Sequence, residues 1–249
     1  MSMGRKKSYK KPDLIVFDLD GTLTNTSDRA ARLSSITDRW HLPASSTTMW
    51  LMRTANQIYK NIGIRNRFVE AAKHDVLNLL CAEKQDMFVV LQTAFAKDIS
   101  CSLLSNGPRE WGKKILNRLQ IGAYFDHTMF REDVSQLKPA PDALLQILAS
   151  SAVGQDSTVW VCGDRTADVY LAMNANAASI CNVIPVAIKG SKAAETITVL
   201  RDKFNIKGYV FDTPYDIACA IDPDLTNRVT EVANRMDPSQ LHLASFRIQ

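Results

Sequence analysis

Four short polar clusters hold the side chains best able to do chemistry. Asp18-Leu19-Asp20-Gly21-Thr22 sets two carboxylates two residues apart, directly after an apolar run. Such a pair is costly to assemble without a cation. Ser105-Asn106-Gly107 offers a hydroxyl and backbone N–H groups beside a helix start, which suits an oxyanion or a phosphate. Lys138, before Pro139, offers one fixed positive charge. Gly163-Asp164-Arg165-Thr166-Ala167-Asp168 adds two carboxylates, four apart, at the first turn of a helix. Each cluster alone has a plain structural reading. Asp18 or Asp20 could cap a turn, and Ser105-Asn106-Gly107 could form one. Lys138 could be a solvated surface lysine, while Asp164 and Asp168 could favour a helix dipole. The joint pattern points further: an acid pair, an anion cradle, a cation and a second acid pair, in that order.

The elements that must position them are legible as runs and periods. Asp13 to Phe17 is a short apolar stretch rich in β-branched residues, which predicts a buried strand ending at Asp18. From Asp28 to about Leu80 helical patterns dominate and strand-like runs are missing, which reads as a helical insertion. A helix over 88–96 leads back to the core. Strands are then expected over 99–104, 127–130, 158–162, 184–188 and 209–211. Helices are expected between them, over 109–119, 142–150, 166–175 and 192–203. Strands alternating with helices of this length imply βαβ units and a parallel sheet. In such a sheet a site lies beyond the carboxyl ends of the strands, and the four clusters sit at or just past such ends.

Bulk properties narrow the classes. With 249 residues, 46% apolar and 22% charged, the chain has ordinary globular composition. The net charge is only +4, and Arg5, Lys6, Lys7, Lys10 and Lys11 crowd the first eleven residues. A basic tail can meet nucleic acid or an anionic membrane, but a solvated terminus is the commoner outcome. No apolar stretch of secretory-signal type follows it. The longest uncharged run, Val169 to Ile188, is interrupted by Asn174, Asn176, Asn182 and Pro185, so it reads as helix, turn and strand rather than a membrane span. Five cysteines without a CxxC pair fit buried free thiols in the cytoplasm.

Asp18-Leu19-Asp20-Gly21-Thr22, Ser105-Asn106, Lys138-Pro139 and Gly163-Asp164-Arg165-Thr166-Ala167-Asp168 together resemble the four motifs of the haloacid dehalogenase-like superfamily. Lys138-Pro139-Ala140-Pro141-Asp142 is similar to its phosphoglycolate-phosphatase-like members. The resemblance covers about residues 13–212. It implies an α/β, Rossmann-like core with a parallel sheet flanked by helices, and a small α-helical cap inserted after the first strand. The expected division is a basic tail over 1–12, a core over 13–25 and 85–222, a cap over 26–84 and an extension over 223–249. It also implies roles. Asp18 would be the nucleophile, with an aspartyl-phosphate intermediate. Asp18, Asp164 and the backbone carbonyl of Asp20 would bind Mg2+. Lys138 would neutralise charge, and Ser105 and the N–H of Asn106 would hold the phosphoryl group. Asp20 would serve as general acid and then general base. Asp168 would orient the metal's ligands or reach the metal through water.

Asp20 argues against carbon–halogen cleavage, which needs no acid for a leaving alkoxide. The expected activity is a Mg2+-dependent phosphatase acting on a small-molecule phosphate ester, with no membrane and no nucleic acid as partner. A phosphomutase of the same fold is the first alternative. A binding or regulatory protein without turnover is the second. In the cap, Arg29, Arg32, Arg53, Arg65, Arg67 and His74 are cations that could meet an anionic substrate tail. A solvated helix face is the plainer reading for each. Arg109 is a further plausible substrate contact.

Overall fold

The computed structural model describes residues 9–24, 85–179 and 181–228. Two compact units divide the chain: Met1–Asp18 with Gln85–Gln249, and Leu19–Lys84. In the first unit, β1 (Leu14–Phe17) is followed by α1 (Gln85–Ala96), β2 (Ser100–Leu104), α2 (Arg109–Leu119), β3 (His127–Met129) and α3 (Asp142–Ser150). The alternation continues with β4 (Thr158–Cys162), α4 (Thr166–Ala178), β5 (Asn182–Ile188), α5 (Lys192–Phe204), β6 (Tyr209–Phe211) and α6 (Pro214–Ile221).

All six strands form one parallel sheet in the order β3-β2-β1-β4-β5-β6. β1 is the centre. Leu14, Ile15, Val16 and Phe17 are all buried, as a strand covered on both faces requires. The chain leaves β1 to build β2 and β3 on one side, then crosses back to place β4 on the other. That reversal opens a crevice at the carboxyl ends of β1 and β4. Phe17 pairs with Leu103 and with Cys162, so the residues following all three strands emerge at one level.

Leu144 and Ile147 of α3, and Leu171 and Ala172 of α4, pack on Val16, Val159 and Val161. Ile197 and Leu200 of α5 join Val169 and Ala187 farther along. Trp160 is fully buried and meets Tyr209 edge-on at 5.6 Å between ring centroids. Tyr9 stacks on Phe211 at 4.6 Å, which ties the start of the described chain to β6.

Among the described residues the expected strands and helices are present, with shifts of a few residues at their ends. α4 runs on to Ala178 and β5 starts at Asn182, so the turn between them is tighter than expected. Asn176 Oδ1 accepts from Val183 N at 2.9 Å across that turn. α6 was not expected. Its signal was in the sequence: Thr213 Oγ1 accepts from Asp216 N, the Asp216 carboxylate accepts from Thr213 N, and Pro214 opens the helix.

Within the second unit, residues 19–24 form a tight turn. The Leu19 carbonyl accepts from Leu23 N, Thr24 N and Thr24 Oγ1. Gly21 has φ 93°, a conformation a side chain would resist. The expected cap over 26–84, with its arginines and His74, lies outside the described residues, as do residues 1–8 of the basic tail and 229–249 of the extension.

Candidate active site

Asp18 emerges from the central strand with its backbone N–H bonded to the Cys162 carbonyl at 2.9 Å. That bond extends the β1–β4 ladder by one residue and fixes where its carboxylate starts. Asp164 follows β4, and its own carbonyl accepts from Ala193 N at 3.0 Å. Asp168 stands in the first turn of α4, where Oδ2 accepts from Arg165 N at 3.0 Å and caps the helix. Carboxylate oxygens of Asp18, Asp164 and Asp168 all lie within 4.8 Å of one another.

Lys138 reaches this cluster from the loop before α3. Its ammonium lies 2.5 Å from Asp18 Oδ1, 2.7 Å from Asp168 Oδ1 and 3.0 Å from the Leu104 carbonyl. Three acceptors use all three donors of the ammonium. The side chain is 5% exposed, and those of Asp18 and Asp168 are 9% and 4% exposed. Burial alone would lower the Lys138 pKa, but Asp18 and Asp168 outweigh it and hold the group protonated, above its ordinary range. Asp18 shows the opposite balance. Burial raises its carboxyl to about 7, helped by the charges of Asp168 and Asp164 and opposed by Lys138. One ammonium among three carboxylates leaves the cluster short of positive charge.

Ser105 follows β2 and is buried. Its Oγ accepts from Gly107 N at 3.0 Å, which folds the loop and leaves the hydroxyl hydrogen available to donate. The Asn106 side chain turns toward Lys138. Its Oδ1 accepts from Lys138 N at 2.9 Å, and its Nδ2 donates to the Lys138 carbonyl at 3.1 Å. Asn174 of α4 donates to the Pro139 carbonyl at 2.9 Å. Gly163 is required by crowding, because a Cβ there would overlap the Asp168 side chain.

The structure thus brings Asp18, Asp164, Asp168, Lys138 and Asn106 into one network, with Ser105 at the next strand end. Asp20 belongs to the turn of the second unit. Arg109, considered as a substrate contact, is instead ion-paired with Asp133, and its N–H bonds Glu132 at 2.8 Å. The sequence reading missed the Leu104 carbonyl as a third partner of Lys138, the side-chain bonds of Asn106 and the part of Asn174. No local pattern announces these, since each joins distant segments.

The residues present fit a hard divalent cation. Asp18 and Asp164 supply carboxylate oxygens, the ligands Mg2+ takes, and the cluster lacks the positive charge to keep Asp18 ionised at neutral pH without one. Cys101 and Cys162 do not belong to the chemistry. Burial lifts the Cys101 thiol to about 12 and raises Cys162 as well, which leaves both unreactive.

Comparison with known proteins gives a consistent setting. A family model described as haloacid dehalogenase-like hydrolase matches residues 15–182. A phosphoglycolate phosphatase of Pseudomonas syringae pv. tomato is 25% identical over 190 residues, which is 69% of each chain. A Clostridium perfringens protein provisionally named pyrophosphatase PpaX is 26% identical over 192 residues, 73% of this chain and 88% of its own. A Thermotoga maritima structure, provisionally named beta-phosphoglucomutase, has a TM-score of 0.58 at 19% identity, over 85% of this chain and 99% of that one, a likeness of fold.

Proposed function

The chain belongs to the haloacid dehalogenase-like hydrolase family, and from that membership we propose that it hydrolyses a small phosphate monoester through an aspartyl-phosphate on Asp18, with Mg2+ bound at the same site. The family and the named phosphatase relatives make it a phosphoric monoester hydrolase. The observation that carries the mechanism is the Lys138 ammonium, buried between Asp18 and Asp168 with Asp164 beside them.

The Asp18 carboxylate attacks the phosphorus and displaces the alcohol. Approach of an anion to an anion is the main obstacle, and Lys138 lowers it by screening Asp18 and the phosphoryl oxygens. Asp18, Asp164 and the backbone carbonyl of Asp20 would hold Mg2+, which when bound supplies further charge neutralisation and orients the phosphate. Ser105 donates its hydroxyl, and Asn106 its backbone N–H, to the transferring group. Asp20 protonates the leaving oxygen and then takes a proton from the water that opens the aspartyl-phosphate. Asp168 keeps Lys138 in place.

2-Phosphoglycolate is the first substrate to try, because relatives bear that name. The enzyme is assigned to the cytoplasm on its free cysteines: Cys101, Cys162, Cys181 and Cys219 are unpaired. No helix among the described residues is long and apolar enough to cross a membrane. The test is release of inorganic phosphate from a panel of phosphate esters in Mg2+, with 2-phosphoglycolate included. Release from at least one member, lost in Asp18→Asn, is the expected result. An isomerised product without release would instead identify a phosphomutase, and silence across the panel would sink the enzyme reading.

A further inference from the structure

We infer that the Asn106 side chain is a positioning residue that sets the reach of Lys138, and that Asn174 supports it from the neighbouring helix. This rests on Lys138 acting as the cation beside the nucleophile. A primary amide carries one donor group and one acceptor, and a peptide residue presents the complementary pair. Asn106 meets both main-chain groups of the same residue, Lys138 N at 2.9 Å and Lys138 O at 3.1 Å. Two bonds to one residue fix its orientation as well as its place, as one bond would not. Asn174 then holds the next carbonyl, that of Pro139, at 2.9 Å.

The consequence lies at the far end of the lysine. Four flexible methylenes separate the backbone from the ammonium, so backbone drift transmits to it. The ammonium must satisfy Asp18 Oδ1, Asp168 Oδ1 and the Leu104 carbonyl together. Leu104 and Asn106 flank Ser105 in the chain. One short segment therefore sets three things: the Ser105 hydroxyl, the lysine's backbone through the Asn106 amide, and one acceptor of the lysine's ammonium. The phosphate cradle and the cation are built as one piece.

Full-length protein with Mg2+ and an aryl phosphate carries the test. Asn106→Ala keeps the backbone N–H and removes only the grip on Lys138. Expected is a kcat lower by about tenfold or more, with KM changed by less than about threefold. Asn106→Asp has the same shape without the N–H donor, and is expected within about threefold of the alanine variant. Asn174→Ala, at an exposed position, should lose about threefold in kcat. In a Lys138→Met background, adding Asn106→Ala should cost no more than about twofold, because the effect passes through the ammonium. Should that background show no residual turnover, the aspartate comparison decides. Wild-type kcat in Asn106→Ala, recovery in Asn106→Asp, or multiplying losses in the double variant would each overturn the inference. Undiminished turnover in Lys138→Met would overturn the functional reading beneath it, which is a separate outcome.

Discussion

Lys138 sets its ammonium 2.5 Å from Oδ1 of Asp18, although 120 residues separate them in the chain. The contact links the central strand to the loop before α3, and both partners are almost wholly buried. A buried pair of this kind is weak evidence for stability in itself, since desolvation offsets the attraction. Its value here is to keep a charged lysine beside Asp18, where it opposes the rise that burial imposes on the carboxyl.

Asp18→Asn should abolish turnover, by about a thousandfold or more, because the amide cannot form the acyl-phosphate. Thermal unfolding should remain cooperative, since asparagine has nearly the same shape and its oxygen still accepts from Lys138. Steady-state phosphate release and circular dichroism on the same preparation check both halves.

Lys138→Met leaves Asp18 and Asp168 buried without their shared cation. Removing one partner of a buried pair costs about 3–5 kcal/mol. Urea unfolding at neutral pH should show a loss of that order. A variant as stable as the wild type would count against the ion-pair account.

Without metal, the Asp18 carboxyl sits at about 7 in the fold, against an ordinary value of 3.8. The folded protein therefore holds a proton that the unfolded chain has released across that interval. This group's contribution to stability falls as pH rises from about 4 to about 7, then levels off. A cation competes with that proton. Mg2+ should raise the melting temperature more at about pH 8 than at about pH 6. Asp164→Asn should remove most of the Mg2+ response, and calorimetric titration at the two pH values reads the affinities directly.

Gly163→Ala forces a Cβ into the Asp168 side chain. The backbone or Asp168 must shift, at a cost of about 1–3 kcal/mol. Asp168 holds Lys138 with one oxygen and its own helix with the other, so kcat should fall along with stability. A variant with native kcat would show that Asp168 can move without disturbing Lys138.

Much of the core was legible because its signals are local. The run from Leu14 to Phe17 is uniformly apolar, as a strand buried on both faces must be, and the polar break at Asp18 marks its end. Repeated alternation of short β-branched runs with helical stretches required a parallel sheet. The turn at Asn182 was less legible, since Asn176 closes it with a side-chain bond that no periodicity encodes. The pairing of Arg109, considered as a substrate contact, was not legible, because Asp133, its partner, is 24 residues away and unmarked by any pattern.

The sequence by itself determined the residue types of the site, their order along the chain and the strand ends that carry most of them. It did so because apolar runs and polar breaks are properties of neighbouring residues. The tertiary structure alone decided which groups meet. The sheet order puts β2 and β4 on either side of β1, and that adjacency brings Ser105, Asp18 and Asp164 to one edge. It also decided that the Asn106 amide grips Lys138 and that Asp168 divides its oxygens between a lysine and a helix end. Hydrogen bonds depend on distances of a few tenths of an ångström between segments far apart in sequence. Such distances follow from the packing of the whole sheet and its helices, and no single stretch of the chain contains them.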